Sequence, residues 1–192
     1  MDRGFTTEIL GAVTIVRFVR PKIRNPLSVA VLEGLRGVLS EVERSNSLKA
    51  VIFTGSEDVF ASGANLNEIA LITPETAREF AVRGQSLMTK IAALPQKTVA
   101  AINGYCFGGA LDLALACEMR IATPNASFAH PGTGLGIITG WGGTQRLPRL
   151  IGETKALEMF FSAKAISAND ALFTGLIDKI ADDVIAESLA YF

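Results

Sequence analysis

From Thr98 to Cys117 the chain runs for twenty residues with a single charged side chain, Asp112. A stretch that apolar must be withdrawn from water, either across a bilayer or inside a packed core. Its punctuation favours the core. Asn103-Gly104 and Gly108-Gly109 break it into a buried strand, a turn and a helix beginning at Gly109. Leu111, Leu113, Ala114, Leu115 and Ala116 make that helix apolar nearly all round, so it is buried. A carboxylate there is costly unless it is paired or functional, which singles out Asp112. The alternative for Asp112 is an acid stabilised by the dipole of a first helical turn.

The same buried-strand and helix pattern recurs along the chain. A strand pair is expected over Glu8 to Val19 with a turn at Gly11. A helix capped by Ser28 runs to about Ser45, with Val31, Leu35, Val38, Leu39 and Val42 on one face. Ala50 to Thr54 reads as a strand, Gly55 to Asn67 as a loop ending in a helical turn, and Pro74 to Leu94 as a helix after Thr73. Further strands are expected at Thr98–Asn103, Glu118–Ala122, Ser127–Ala129 and Leu176–Ile180. Helices are expected at Gly109–Cys117, Thr144–Leu150, Glu153–Phe161 and Ser167–Phe173, with another beginning near Asp182. Strands alternating with helices give an α/β fold, and short strands with many glycine turns suggest a stacked, spiral arrangement. With 192 residues and no visible linker, one domain over 1–192 is expected. The chain stops early in a helical pattern, which reads as a truncated C-terminus.

Composition narrows the function. A formal net charge of −1 gives no global attraction to nucleic acid or an anionic membrane. Two cysteines in apolar surroundings, Cys106 and Cys117, read as buried free thiols of a reducing compartment. With one histidine there is no zinc pattern, so no metal is expected. The polar start, Met1 to Glu8, is unlike a signal peptide, and a cytoplasmic location is the expectation.

Two segments carry recognisable chemistry. At Gly108-Gly109 a helix N-terminus offers free N–H groups to an anion, and Asp112, three residues on, projects from the same face as Gly109. The second segment, Phe128 to Gly136 continuing through Gly140 to Leu147, combines many glycines with His130 and Trp141. It reads as a loop wrapping a ligand. His130 alone is more often a satisfied structural residue than a catalyst, and Trp141 is read as a packing anchor.

Taken in order, several motifs resemble the crotonase (enoyl-CoA hydratase/isomerase) superfamily. They are Asn25-Pro26-Leu27-Ser28, Phe60-Ala61-Ser62-Gly63-Ala64-Asn65-Leu66, Ala100 to Asp112, Gly143-Thr144-Gln145-Arg146-Leu147-Pro148-Arg149 and Gly175-Leu176-Ile177-Asp178. The resemblance covers about Ala12 to Ile180. It implies a spiral of repeated ββα units, with the family's C-terminal helices largely missing from this chain. It implies a homo-oligomer, trimer or hexamer, weakened where those helices are absent. An acyl-CoA thioester is the implied substrate, with coenzyme A arriving as part of it and no separate cofactor.

By position, the backbone N–H groups of Ala64 and Gly109 would form an oxyanion hole. CoA would run along Ala64, Asn65, Leu66 and Asn67, with Lys22 and Arg24 near its phosphates. Family hydratases use two glutamates. The first falls at Asp112, shorter by one methylene, and the second at Gly132, where there is no acid. A carbon–carbon bond-forming subgroup, the dihydroxynaphthoyl-CoA synthases, also has glycine there and uses bound bicarbonate, but this chain does not otherwise resemble it. Enoyl-CoA hydratase is the leading reaction, with His130 as a second polar group. An isomerase or hydrolase needing one carboxylate, or a non-catalytic acyl-CoA-binding protein, is the alternative. Gly132 is read as leaving room for water or a small anion, which His130 would hold.

Overall fold

The computed structural model describes residues 3–192. Strand β1 (Phe5–Leu10) turns at Gly11 into β2 (Val13–Phe18), an antiparallel hairpin registering Phe5 with Phe18. The tight loop that follows is built on Asn25, which takes a left-handed φ of 48°. Its buried side-chain amide donates to the carbonyls of Val59 (3.0 Å) and Phe60 (3.1 Å) and accepts from the Arg20 N–H (2.6 Å). Asparagine tolerates that conformation better than most residues. The short β3 (Pro26–Leu27) then leads to α1 (Val29–Arg44), where Ser28 Oγ accepts from the Val31 N–H. Val31, Leu32, Leu35, Leu39 and Val42 form its buried stripe.

Next come β4 (Ala50–Thr54), β5 (Val59–Ala61), β6 (Gly63–Ala64), α2 (Leu66–Ile69) and α3 (Pro74–Ala92). Helix α3 starts with a proline at its first position, and Thr76 Oγ1 accepts from the Thr73 N–H at 2.9 Å. The apolar stretch resolves into β7 (Lys97–Ile102), β8 (Tyr105–Phe107) and α4 (Gly109–Ala116). The rest is β9 (Met119–Ala122), β10 (Ser127–Ala129), α5 (Gly143–Ile151), α6 (Glu153–Ser162), β11 (Ile166–Ser167), α7 (Ala168–Phe173), β12 (Lys179–Ile180) and α8 (Val184–Leu189).

A six-stranded sheet has the order β1-β2-β4-β7-β9-β12 and is parallel from β2 onward. A second sheet has the order β11-β10-β8-β5, and β3 pairs with β6. Successive units β4–β5, β7–β8 and β9–β10 each place one strand in the large sheet and the next in the smaller one. Helices follow each unit, giving a spiral of ββα turns. Side chains alternate across the large sheet. Val16, Phe18, Val51, Phe53, Ala100 and Ile102 face the main core beneath α1, α3 and α4. Val13, Ile15, Ile52, Val99, Ala101 and Ile121 face a smaller cluster covered by Val184 of α8. Each such large side chain contributes about 1.5–3 kcal/mol on full burial.

Two expectations need correction. The segment Gly55–Asn67 is not a plain loop, because β5 and β6 lie within it. The expected strand Leu176–Ile180 shrinks to Lys179–Ile180. Leu176 to Asp178 instead form a bend held by Arg120, whose guanidinium donates to the Leu176 carbonyl, the Cys117 carbonyl and the Asp178 carboxylate at 2.8–2.9 Å.

Candidate active site

Strand β6 runs past the N-terminus of α4 at closer range than side chains allow. Gly63 has φ +91°, and a Cβ on it would lie 2.5 Å from the Gly109 nitrogen. A Cβ on Gly109 would in turn lie 3.3 Å from the Ala64 nitrogen. The two glycines therefore bring the Ala64 and Gly109 amides to one place, at the rim of a cavity of about 430 Å³. As the first residue of α4, Gly109 has an N–H that lacks an intrahelical acceptor. The cavity is lined mainly by apolar side chains, among them Ile69, Ile72, Phe80, Ile138 and Trp141.

Asp112, one turn into α4, opens into that cavity while being 1% exposed. Burial pushes its carboxyl up from the ordinary range to about 7. Opposing that shift are the Thr139 hydroxyl, which donates to Oδ2, the nearby amides of Trp141 and Gly143, and the Arg146 charge. Oδ1 accepts no hydrogen bond. A Cβ at Gly143 would lie 2.1 Å from Oδ1, so that glycine is what lets the loop approach the acid. A group titrating near neutrality suits both proton uptake and proton return.

His130 directly follows β10 and lines the same cavity, 2% exposed. Its ring packs against Phe160 at 5.2 Å between centroids. Burial lowers its pKa to about 4, so the imidazole is neutral at physiological pH. Neither ring nitrogen has a hydrogen-bond partner, and Nε2 lies 3.7 Å from Asp112 Oδ1. The expectation that a lone histidine is a satisfied structural residue therefore does not hold here.

Gly132 lines the cavity too, but the direction a side chain would take from it is already occupied. A Cβ there would lie 2.9 Å from the Ile137 carbonyl oxygen, because the Ile137 N–H closes a turn onto the Gly132 carbonyl at 3.0 Å. The backbone itself fills the space beside it.

The remaining candidates are distributed around this centre. Leu66 lines the cavity, half exposed. Asn65 caps α2, its side chain accepting from the Asn67 N–H at 3.0 Å, and the two flank the cavity-lining Leu66 without lining the cavity themselves. Lys22 lies in a shallow second depression with Arg20, Ile23 and Glu57. Arg24 packs its guanidinium over the Tyr105 ring, 5.0 Å from the centroid. Sequence reasoning missed Thr139. One threonine in a glycine-rich loop carries no distinguishing signal, and only the loop's return onto α4 reveals its carboxyl partner. Among the described residues, no group of three or more metal-ligating side chains is present.

Residues 8–190 match the family model for enoyl-CoA hydratase/isomerase. The chain belongs to this family. The enoyl-CoA hydratase/isomerase match runs through every segment that builds the cavity. The chain is 38% identical over 173 residues to a short-chain-enoyl-CoA hydratase of Clostridium acetobutylicum, covering 90% of this chain and 66% of that protein. It is 38% identical over 162 residues to a crotonyl-CoA hydratase of Syntrophomonas wolfei, covering 84% and 62%. The chain thus spans less than two thirds of the length of these curated relatives. A crystal structure of an enoyl-CoA hydratase from Bacillus anthracis superposes with a TM-score of 0.90 at 36% identity, over 98% of this chain and 74% of that one. One from Thermoplasma volcanium superposes at 0.93 with 28% identity, over 99% and 76%. The fold is the crotonase fold these structures share.

Proposed function

We propose that the chain binds an acyl-CoA thioester and adds water across its 2,3 double bond, as an enoyl-CoA hydratase. The observation that carries this reading is Asp112: a buried carboxyl poised near 7, one helical turn from the paired Ala64 and Gly109 amides. The thioester oxygen would sit between those two amides, where negative charge develops during addition. Asp112 takes a proton from water as its oxygen bonds to C3. The π electrons move to C2 and the thioester oxygen, giving an enolate. C2 then takes the proton back from Asp112, and the enolate collapses to the 3-hydroxyacyl thioester. One carboxyl therefore serves as base and then as acid.

The names of the relatives above support the reaction, and the apolar cavity wall supports an acyl substrate. Coenzyme A would lie along Ala64 to Asn67 with Lys22 and Arg24 toward its phosphates, and no further cofactor is needed by this chemistry. Assembly as a homo-oligomer in the cytoplasm completes the reading. Among the described residues, no helix is long and apolar enough to cross a membrane.

A specific observation favours a second reading. Among the described residues, Asp112 is the only carboxyl lining the cavity, and a 3-enoyl to 2-enoyl isomerisation needs only one group to carry a proton between C2 and C4. The two reactions separate in one spectrophotometer: hydration of crotonyl-CoA removes enoyl absorbance, and isomerisation of vinylacetyl-CoA creates it. The hydratase reading expects wild type to hydrate crotonyl-CoA and Asp112→Asn to lose the activity while retaining acyl-CoA binding. Wild-type protein that binds the thioester without consuming it would refute the hydratase assignment.

A further inference from the structure

We infer that His130 holds the attacking water, taking the place of a second carboxylate, which the site lacks among the described residues. The inference rests on the hydratase reading above and adds to it the group that positions the nucleophile.

Four observations converge on it. First, both ring nitrogens of His130 are buried without a hydrogen-bond partner, a cost that protein interiors seldom leave unpaid. Second, Asp112 Oδ1 is likewise unpartnered, the Thr139 hydroxyl donating to Oδ2 instead. Third, the gap from Nε2 to Oδ1 is 3.7 Å, too long for a direct hydrogen bond. A third polar atom on the cavity side gives Nε2 and Oδ1 a shared partner. Fourth, both residues line the cavity, so that atom faces the bound ligand.

Water fits this placement better than an anion, since a neutral imidazole beside a carboxylate offers no net positive charge. With Nε2 carrying the proton, the ring donates to the water oxygen. The water donates one hydrogen to Oδ1, and its remaining lone pair is free to attack C3. The other oriented hydrogen leaves with the product as the hydroxyl proton. His130 keeps its own proton throughout, so it holds and aims the nucleophile without titrating. Phe160 packing on the ring, and the proline that follows at position 131, fix its direction.

The test separates water addition from enolate formation. Exchange of the α-hydrogens of butyryl-CoA with deuterated solvent needs a base and the two amides but no held water. His130→Phe keeps the ring's shape and its packing on Phe160 while removing both nitrogens. Its hydration rate for crotonyl-CoA should fall by about 10²-fold, the typical worth of one positioned polar group, mainly in kcat rather than KM. The ratio of hydration to exchange should drop at least about tenfold, which a general loosening of the site would not produce. His130→Gln, which restores a donor at similar reach, should recover part of the hydration rate. His130→Phe with an unchanged ratio of hydration to exchange overturns the assignment while leaving the hydratase reading intact. Wild type that exchanges but does not hydrate removes both. If His130→Phe proves poorly folded by its melting curve, the Gln variant decides: it should hydrate faster than His130→Ala, and equal rates for the two overturn the assignment.

Discussion

Trp141 fills the space that Gly84 leaves open. A Cβ on Gly84 would lie 2.1 Å from indole Cδ1, so helix α3 and the loop ahead of α5 interlock at a residue with no side chain. Trp141 is 2% exposed and its ring meets Phe80 at 5.6 Å, leaving little freedom to move aside.

Gly84→Ala is therefore expected to destabilise the protein although it replaces a mid-helix glycine. Helix propensity favours alanine by about 1 kcal/mol. Overpacking a tight core contact costs about 1–3 kcal/mol, and a rigid buried indole places this site toward the upper end. The Trp141 amide faces Asp112, so hydration should fall as well. Thermal melts of Gly84→Ala, Trp141→Leu and the double variant check this. The double variant should be more stable than the sum of the single losses.

Stability should depend on pH through two opposed groups. The folded-state pKa of Asp112 is raised from 3.8 to about 7, so its contribution is full below pH 4 and is lost as pH rises to 7. That of His130 is lowered from 6.5 to about 4, so its contribution is full above 6.5 and is lost as pH falls to 4. Over pH 4–6.5 the two trends oppose each other in the wild type. Asp112→Asn should gain stability relative to wild type as pH rises, by at most about 1.4 kcal/mol per unit, and His130→Phe should lose stability relative to wild type as pH rises from 4 to 6.5. Urea melts of the three proteins at half-unit pH steps measure the differences, and parallel curves would contradict the account.

The same carboxyl sets the rate profile. Asp112 must be ionised to accept the water proton, so kcat/KM for hydration should rise with pH and level off above about 7. Thr139→Val removes a hydrogen bond that favours the ion, so the limb should move to higher pH. Steady-state rates between pH 5 and 9 show the limb directly. A limb that does not move in Thr139→Val would mean that Thr139 does not act on the base.

Gly132→Glu should not create a better hydratase. The new Cβ would press on the Ile137 carbonyl at 2.9 Å, so the turn between 132 and 137 must open before any carboxyl reaches the cavity. The expected outcome is a lower melting temperature and hydration no faster than wild type. A well-folded variant with faster turnover would show that the turn yields easily.

Much of this architecture was legible in the residues. Ser28, Pro74 and Ser167 mark helix starts that the structure reproduces, because caps act locally. The uniformly apolar α4 announced its own burial, and with it the oddity of Asp112. What escaped were strands of two or three residues, Val59–Ala61, Gly63–Ala64, Tyr105–Phe107 and Ile166–Ser167. They are too short to show a period, and their partners lie far along the chain. The acid's setting escaped for the same reason. Thr139 is 27 residues from Asp112, and nothing local in the glycine-rich loop says which threonine turns inward.

The order of the large sheet also bears on how the chain is made. From β2 onward each parallel strand joins the outer edge left by the one before it, so the sheet can assemble in the sequence in which its strands leave the ribosome. The longest wait is at the last edge. Strand β9 waits for Asp178, 58 residues later, before the Arg120 N–H finds its acceptor and β12 adds its two residues. At about 5–20 residues per second that interval lasts on the order of 3–12 s. During it, Met119–Ala122 is an unpaired parallel edge on an otherwise finished sheet, the kind of surface that invites another strand. A nascent chain stalled in that interval is where chaperone contact and misassembly would concentrate.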